Sequence, residues 1–416
     1  MLTVFIKKFS IIMFFALAAF PLMTPTINSI VIITTCLLVI YNLITTSKPI
    51  KFNKNLILLT LVFWMFFIYQ FTASEFSFKI ILLNLPFLVF PLIFYFRPEY
   101  IEKKIKDQSL TVFQISVVIA SLYFLSVFLI SNQTKSLFLV NNYNIPFFRD
   151  FVFNKASLKI HPTYIASFLL ISYTISLFKF FKNTLSNNYI KTLHIFNMLF
   201  LCFMIVLFNS KIVFLVLLIS NGVFLFFYFK RFLKCCRKNP LKSITFTIIT
   251  IVIFGIFSSE NLIIKRFIEL KTELSSPIKG DYYNSTNIRV AILKCNLSLL
   301  KNVPVLGYGN ALQNKLNGCF KANYNSDFYI KSTYNTHNYY INLILYGGWL
   351  FLFIFLIYIF TLFFSIKHTT LAIFIILQIL VINLTENYLS RHYGIITFNY
   401  FLALFAFINH KDSALS

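Results

Sequence analysis

Apolar residues run along this chain in blocks close to the length of about 20 that a helix needs to cross the hydrocarbon core of a bilayer. Short polar stretches part the blocks. Twelve blocks read as spans, at roughly 9–24, 26–46, 55–74, 79–96, 110–131, 162–178, 192–208, 211–229, 243–258, 339–364, 369–385 and 393–409. The first is short and meets Pro21 and Pro25 at its end. Lys7 and Lys8 ahead of an apolar run with Ala16, Ala18 and Ala19 also fit a signal peptide. A second apolar block follows at once, so the run is read as the first span. The expected fold is all-α, a polytopic integral membrane protein with one large loop before span ten.

Composition supports that pattern. Of 416 residues, 58% are hydrophobic and 12% are charged, against about 25% charged in a soluble domain. Mean hydropathy is +0.79. These values exclude a soluble enzyme, a disordered chain and a collagen-like repeat. Lys and Arg number 37 against 12 Asp and Glu, a formal charge of +25. The basic residues cluster in short loops between apolar blocks, which points to topology and anionic lipid head groups and not to nucleic acid.

The short basic loops set the orientation. With Lys7 and Lys8 in the cytoplasm, the loops holding Lys48, Lys51 and Lys54, then Arg97, Lys103, Lys104 and Lys106, then Lys179, Lys182 and Lys191 all fall inside. So do the basic loop from Lys230 to Lys242, Lys367, and the C-terminal tail 410–416. Two longer loops, about 132–161 and 259–337, then face the outer compartment. Within the second, IRVAILKCNLSLL has helical spacing and suits the membrane surface. The expected organisation is an N-terminal region 1–189 and a second region 190–409 that includes the loop 259–337.

Polar residues that topology does not explain gather on the outer face. A charge at the bilayer centre costs about 2.5–3.5 kcal/mol, so charges near a span should either snorkel or serve a function. Asn209, Ser210 and Lys211 part spans seven and eight; taken alone they read as a tight turn with a snorkelling lysine. Arg289 sits among apolar residues in NIRVAI, and its planar fork suits a pair of phosphate oxygens. His337, followed by Asn338, opens span ten. An imidazole there is able to take a proton from a hydroxyl, although a His beside an Asn is also a common helix cap. Glu386 and Arg391 lie in LTENYLSRHYG, where a hydrated turn is the plain alternative. His161 precedes Pro162, which is good helix-start chemistry in its own right.

Cys295 and Cys319 share the outer loop, where a disulfide is permitted and two free thiols are the alternative. Gly347 and Gly348 read as a place for close helix approach, and VLGYGN as a turn. No phosphate-binding loop, zinc-protease motif, nucleophile elbow or D-x-D occurs. A transporter or flippase would need charges at mid-membrane depth and internal repeats, and neither is visible.

Four segments in order resemble the O-antigen ligase and polymerase superfamily of bacterial membrane glycosyltransferases. NSKIVFLVLLIS resembles the family's Asn-Ser-Arg segment, and NIRVAILKCNLSLLKNVPVLGYGN its Arg-containing segment ending in Leu-Gly-x-Gly. THNYYINLILYGGWLFL resembles the His-Asn-x-x-Leu segment, and LTENYLSRHYG a Glu-containing segment near the C-terminal end. Lys211 stands where the family usually has Arg, and Tyr346 where it has the Glu of Glu-x-Gly.

The resemblance implies an inner-membrane enzyme with a periplasmic site that needs neither cofactor nor metal. Its donor would be an undecaprenyl pyrophosphate-linked glycan. Its acceptor would be lipid A–core in a ligase, or a second lipid-linked repeat unit in a polymerase. Membrane lipids are the remaining partners, and nucleic acid is not one. His337 would act as base, Arg289, Lys211 and Arg391 would face the pyrophosphate, and Glu386, Asn338 and His161 would support them.

Overall fold

In a bilayer the backbone must satisfy its own hydrogen bonds, and a run of apolar residues does so as a helix. The structure, a computed structural model, describes residues 2–46, 53–72, 76–101, 103–132, 144–154, 158, 160–181, 188–238, 285–324, 329 and 333–408. Among these residues every regular element is helical. The expected span 243–258, the first part of the loop 259–337 and the tail 410–416 lie outside the described residues.

Among the described residues five helices are long and apolar enough to cross a membrane: Pro25–Thr46, Phe78–Tyr95, Ile105–Ser131, Pro162–Phe181 and Tyr339–Ile366. Shorter apolar helices run at Leu61–Thr72, Thr192–Phe208, Lys211–Phe224, Thr370–Ile382 and His392–Phe407. Between the expected spans helices also form at Asn144–Asn154 and Leu312–Tyr324, and at Ser285–Lys301, where the spacing of IRVAILKCNLSLL predicts one.

Several blocks bend for identifiable reasons. The block 55–74 divides at Thr60, whose hydroxyl donates to the Ile57 carbonyl at 2.9 Å. The block 79–96 divides at Leu85, because Pro86 brings no N–H to continue the ladder.

The helix Tyr339–Ile366 breaks at Gly347 and Gly348, the latter at φ 74°, ψ −177°. This corrects the reading of the pair as a helix–helix contact. The break receives the turn Val305–Tyr308 instead. Tyr308 N–H donates to the Leu345 carbonyl at 2.7 Å. The Tyr69 hydroxyl donates to the Leu306 carbonyl at 2.6 Å. Gly307, at φ 70°, would bring a Cβ into the Tyr346 carbonyl, and Gly348 would bring one into the Val305 carbonyl.

A closed polar ring pins this junction. Gln70 donates to the Tyr346 hydroxyl at 2.8 Å, that hydroxyl donates to Asn310 Oδ1 at 2.9 Å, and Asn310 donates back to Gln70 Oε1 at 3.2 Å. Tyr346 thus spends its hydroxyl on fixing the turn.

The chain divides into two compact units. One comprises 1–14, 29–107 and 270–416; the other comprises 15–28 and 108–269. In the first, His392–Phe407 packs on Pro86–Tyr95 through edge-on rings, Phe94 against Tyr400 at 5.9 Å and Phe87 against Phe398 at 6.1 Å. In the second, Pro162–Phe181 is buried nearly all round. Two of its polar side chains are bonded inside: Ser176 Oγ accepts from Gln114 at 2.7 Å, and Tyr173 donates to Asn221 Oδ1 at 2.9 Å.

Candidate active site

Three of the singled-out residues meet in the first unit. Arg289 Nη2 donates to Glu386 Oε1 at 3.0 Å. His337 Nδ1 lies 3.4 Å from the other carboxylate oxygen, Oε2. The Arg289 and Glu386 side chains are 39% and 18% exposed, and that of His337 is 28% exposed. Water therefore reaches the group, and the ion pair is a positioning device more than a large source of stability. The 3.4 Å approach is close but poorly aligned for a hydrogen bond, since Nδ1 has no partner of good geometry.

Each side chain is delivered by a different element. Arg289 lies on Ser285–Lys301, whose buried positions Ala291, Ile292, Cys295 and Asn296 repeat at helical spacing. Arg289 and Asn296 are seven residues apart, two turns on one face. Asn296 Nδ2 donates to the Thr336 carbonyl at 2.8 Å, just before His337. One face of one helix therefore supplies the arginine and grips the segment that carries the histidine. The Cys295–Cys319 disulfide fastens this helix to Leu312–Tyr324, with a Cα–Cα separation of 5.8 Å.

His337 has a left-handed backbone, φ 46°, which is uncommon for a residue other than glycine. The surroundings over-determine it. Its N–H donates to Asn335 Oδ1 at 3.0 Å. Asn387 Nδ2 donates to Thr336 Oγ1 at 2.9 Å, and the Thr336 hydroxyl donates to the Asn338 carbonyl at 3.0 Å. Asn338 caps the next helix by accepting from Ile341 N–H at 3.0 Å, and donates to the Leu384 carbonyl at 2.9 Å. Tyr339 N–H donates to the Asn383 carbonyl at 3.0 Å. The turn that carries Glu386 is thus laced to the start of the His337 helix from both sides.

Thr336 and Asn387 are buried, at 2% and 4% exposed. Thr336→Val keeps the shape but removes the hydroxyl, leaving the Asn387 amide short of a partner at a cost of about 1–3 kcal/mol. The thermal midpoint should fall in Thr336→Val, and Thr336→Ser should restore it. Equal loss in both variants would show that the methyl group matters and the hydrogen bonds do not.

The other candidates sit elsewhere. Arg391 is exposed and extended, immediately before the helix His392–Phe407. Lys211 opens the helix Lys211–Lys238 in the second unit, after a turn at Asn209 with φ 48°. Arg149, which sequence reasoning passed over, donates to the Asn209 carbonyl at 3.2 Å and braces that turn. His161, also in the second unit, accepts from Thr163 N–H through Nδ1 at 3.3 Å and packs on Phe153 at 5.3 Å. That contact makes it a helix cap, the plain alternative to a site role.

Sequence reasoning also passed over Asn296, Thr336 and Asn387. The only signal for them was spacing: Asn296 stands two helical turns from Arg289.

No curated protein matches the chain. Residues 196–356 match the family model Wzy_C, O-antigen ligase. The matched stretch contains Lys211, Arg289 and the segment Thr336–Asn338, and it stops before Glu386. Over residues 196–356, less than half of its length, the chain is thus similar to the O-antigen ligase family.

Proposed function

We propose that the chain is a glycosyltransferase of the bacterial inner membrane. It moves a glycan from undecaprenyl pyrophosphate to an acceptor hydroxyl at the periplasmic face, with lipid A–core as acceptor and without a metal. The observation that carries this reading is that one carboxylate, Glu386, meets both a cation and a histidine, Arg289 at 3.0 Å and His337 at 3.4 Å.

The chemistry follows from which atoms are taken. Nδ1 of His337 faces Glu386, so Nε2 is the nitrogen turned to the acceptor. It takes the hydroxyl proton as the oxygen attacks the anomeric carbon. The bond from that carbon to the pyrophosphate oxygen breaks, and its electron pair leaves on the pyrophosphate. Glu386 holds the imidazole in orientation and favours the imidazolium as it forms. Arg289 commits one N–H to Glu386 and offers the rest of its fork to the growing phosphate charge. Arg391 adds positive charge for the pyrophosphate. Asn338 sets the helix start beside the base. Of the supporting residues His161 has the weakest claim, because its Nδ1 already caps a helix.

The test is deletion of the chain in its own cell, with electrophoresis of lipopolysaccharide and of carrier-linked glycans. Long glycan accumulating on the carrier beside bare lipid A–core supports the ligase reading. Core bearing a single repeat unit makes the chain a polymerase. An unchanged pattern defeats the transferase reading.

A further inference from the structure

The helix Ser285–Lys301 has a second face that the site does not use. Ala291, Ile292, Cys295 and Asn296 are buried, while Leu293 and Leu297 on the opposite side are 48% and 49% exposed. These two leucines lie about 40° apart around the helix, at about 100° per residue, and exposed Lys294 and Lys301 sit beside them. The helix carries no Asp or Glu. Apolar residues flanked by lysines on one helix face suit a membrane interface. The strip continues past the helix. Val305, 87% exposed, and exposed Leu306 form the tip of the turn that meets Tyr339–Ile366 at Gly348. Trp349 and Leu350, next after Gly348, are exposed as well. Gly348 stands about 27 Å along the helix from Ile366, at about 1.5 Å per residue, close to the hydrocarbon thickness of about 30 Å. With Lys367 inside, the turn tip falls at the outer boundary, a level that favours a Trp side chain.

We propose that Leu293, Leu297, Val305 and Leu306 form a docking surface seated in the outer leaflet of the chain's own bilayer, with Lys294 and Lys301 on the phosphates of anionic lipids. The surface is continuous with the exposed apolar side of a span, and its only charges are positive, which suits anionic head groups. Its consequence for the site rests on the transferase reading above. Arg289 lies about 40° around the helix from Leu293, at the border between the docked face and the buried one. Seating that face in the leaflet holds the guanidinium at the depth of the lipid phosphates, where the pyrophosphate of a lipid-linked donor lies. The Asn296 bond to the Thr336 carbonyl at 2.8 Å passes that height on to the segment that carries His337. The docking surface thus sets the level at which the cation and the base meet the carrier.

The experiment uses the full chain in phosphatidylglycerol nanodiscs. The chain's two tryptophans, Trp64 and Trp349, are replaced by phenylalanine, and Leu297→Trp or Val305→Trp then supplies a single reporter. Bromination of the lipid acyl chains should quench either reporter by about half or more, and iodide in the buffer should quench it several-fold less than free tryptophan amide. Quenching by iodide and not by bromine would put the strip in water and overturn the proposal. Quenching by neither would mean that protein covers the strip, a second copy of the chain included, and would overturn it equally. The kinetic arm uses lipid-linked glycan and lipid-anchored acceptor from cells lacking the chain. Leu293→Asp combined with Leu297→Asp should raise the donor KM about tenfold with kcat within about twofold of wild type. Leu293→Phe combined with Leu297→Phe should behave as wild type, because apolar contact is kept. A loss confined to kcat would overturn the link between seating and the carrier. If the aspartate pair fails to fold, the quenching still decides. A wild-type chain that transfers nothing while its reporters are quenched by bromine defeats the transferase reading and leaves the docking surface standing.

Discussion

Replacing His337 by asparagine should lower glycan transfer by about a hundred- to ten-thousand-fold, the usual contribution of a positioned general base. Asparagine is chosen because the His337 backbone is left-handed, at φ 46°, and asparagine is among the residues that tolerate that conformation. Alanine confuses two effects, since it removes the imidazole and also strains the turn. The surrounding bonds from Asn335, Asn296 and Asn338 use backbone groups or other side chains, so the variant should insert and fold as wild type does. Arg289→Lys is the companion: it keeps the charge and loses the planar fork that reaches Glu386 Oε1 at 3.0 Å. Its transfer rate should fall while the protein level holds. Initial rates at matched protein amounts decide the matter, and wild-type transfer by His337→Asn would remove the histidine from the mechanism.

The largest expected effect on stability belongs to Gly348→Ala. Gly348 sits at φ 74°, ψ −177°, a region open essentially to glycine alone, and its Cβ would overlap the Val305 carbonyl. The strain alone is about 1–3 kcal/mol. The turn Val305–Tyr308 must also withdraw, which breaks the 2.7 Å bond from Tyr308 N–H to Leu345 and the 2.6 Å bond from Tyr69 to Leu306. The variant should accumulate poorly, and what is recovered should melt several degrees lower. Gly222→Ala is the control, because Gly222 lies inside the helix Lys211–Lys238 with nothing within 4 Å of its Cβ position. Alanine there should be neutral or stabilising by up to about 1 kcal/mol. Equal melting of the two variants would mean that the turn does not wedge the helix.

Helices over the described apolar blocks were legible because a 20-residue apolar run has few other ways to satisfy its backbone. The interruption at Pro86 could be read from proline chemistry, but the one at Thr60 could not, since threonine is ordinary within a helix. Gly347 and Gly348 were visible as small residues, yet the partner they admit is a turn some 40 residues upstream in sequence, and no local pattern names such a partner. The charged members of the site stood out because carboxylates are scarce in this chain, with 12 Asp and Glu in 416 residues. Thr336, Asn387 and Asn296 did not, because neutral side chains of their kinds cap and turn throughout any protein. Their value comes from pairing across the fold: Asn387 and Thr336 are 51 positions apart and meet at 2.9 Å.

Arg289 and Glu386 are separated by 97 positions, and His337 lies midway. A ribosome that has synthesised the chain through Asn383 has already delivered the arginine and the histidine but not the carboxylate that joins them. Under the transferase reading, a half-made chain in the membrane holds no competent site and leaves carrier-bound glycan untouched. On that reading the three groups come together only once the late segment has folded back on the earlier ones.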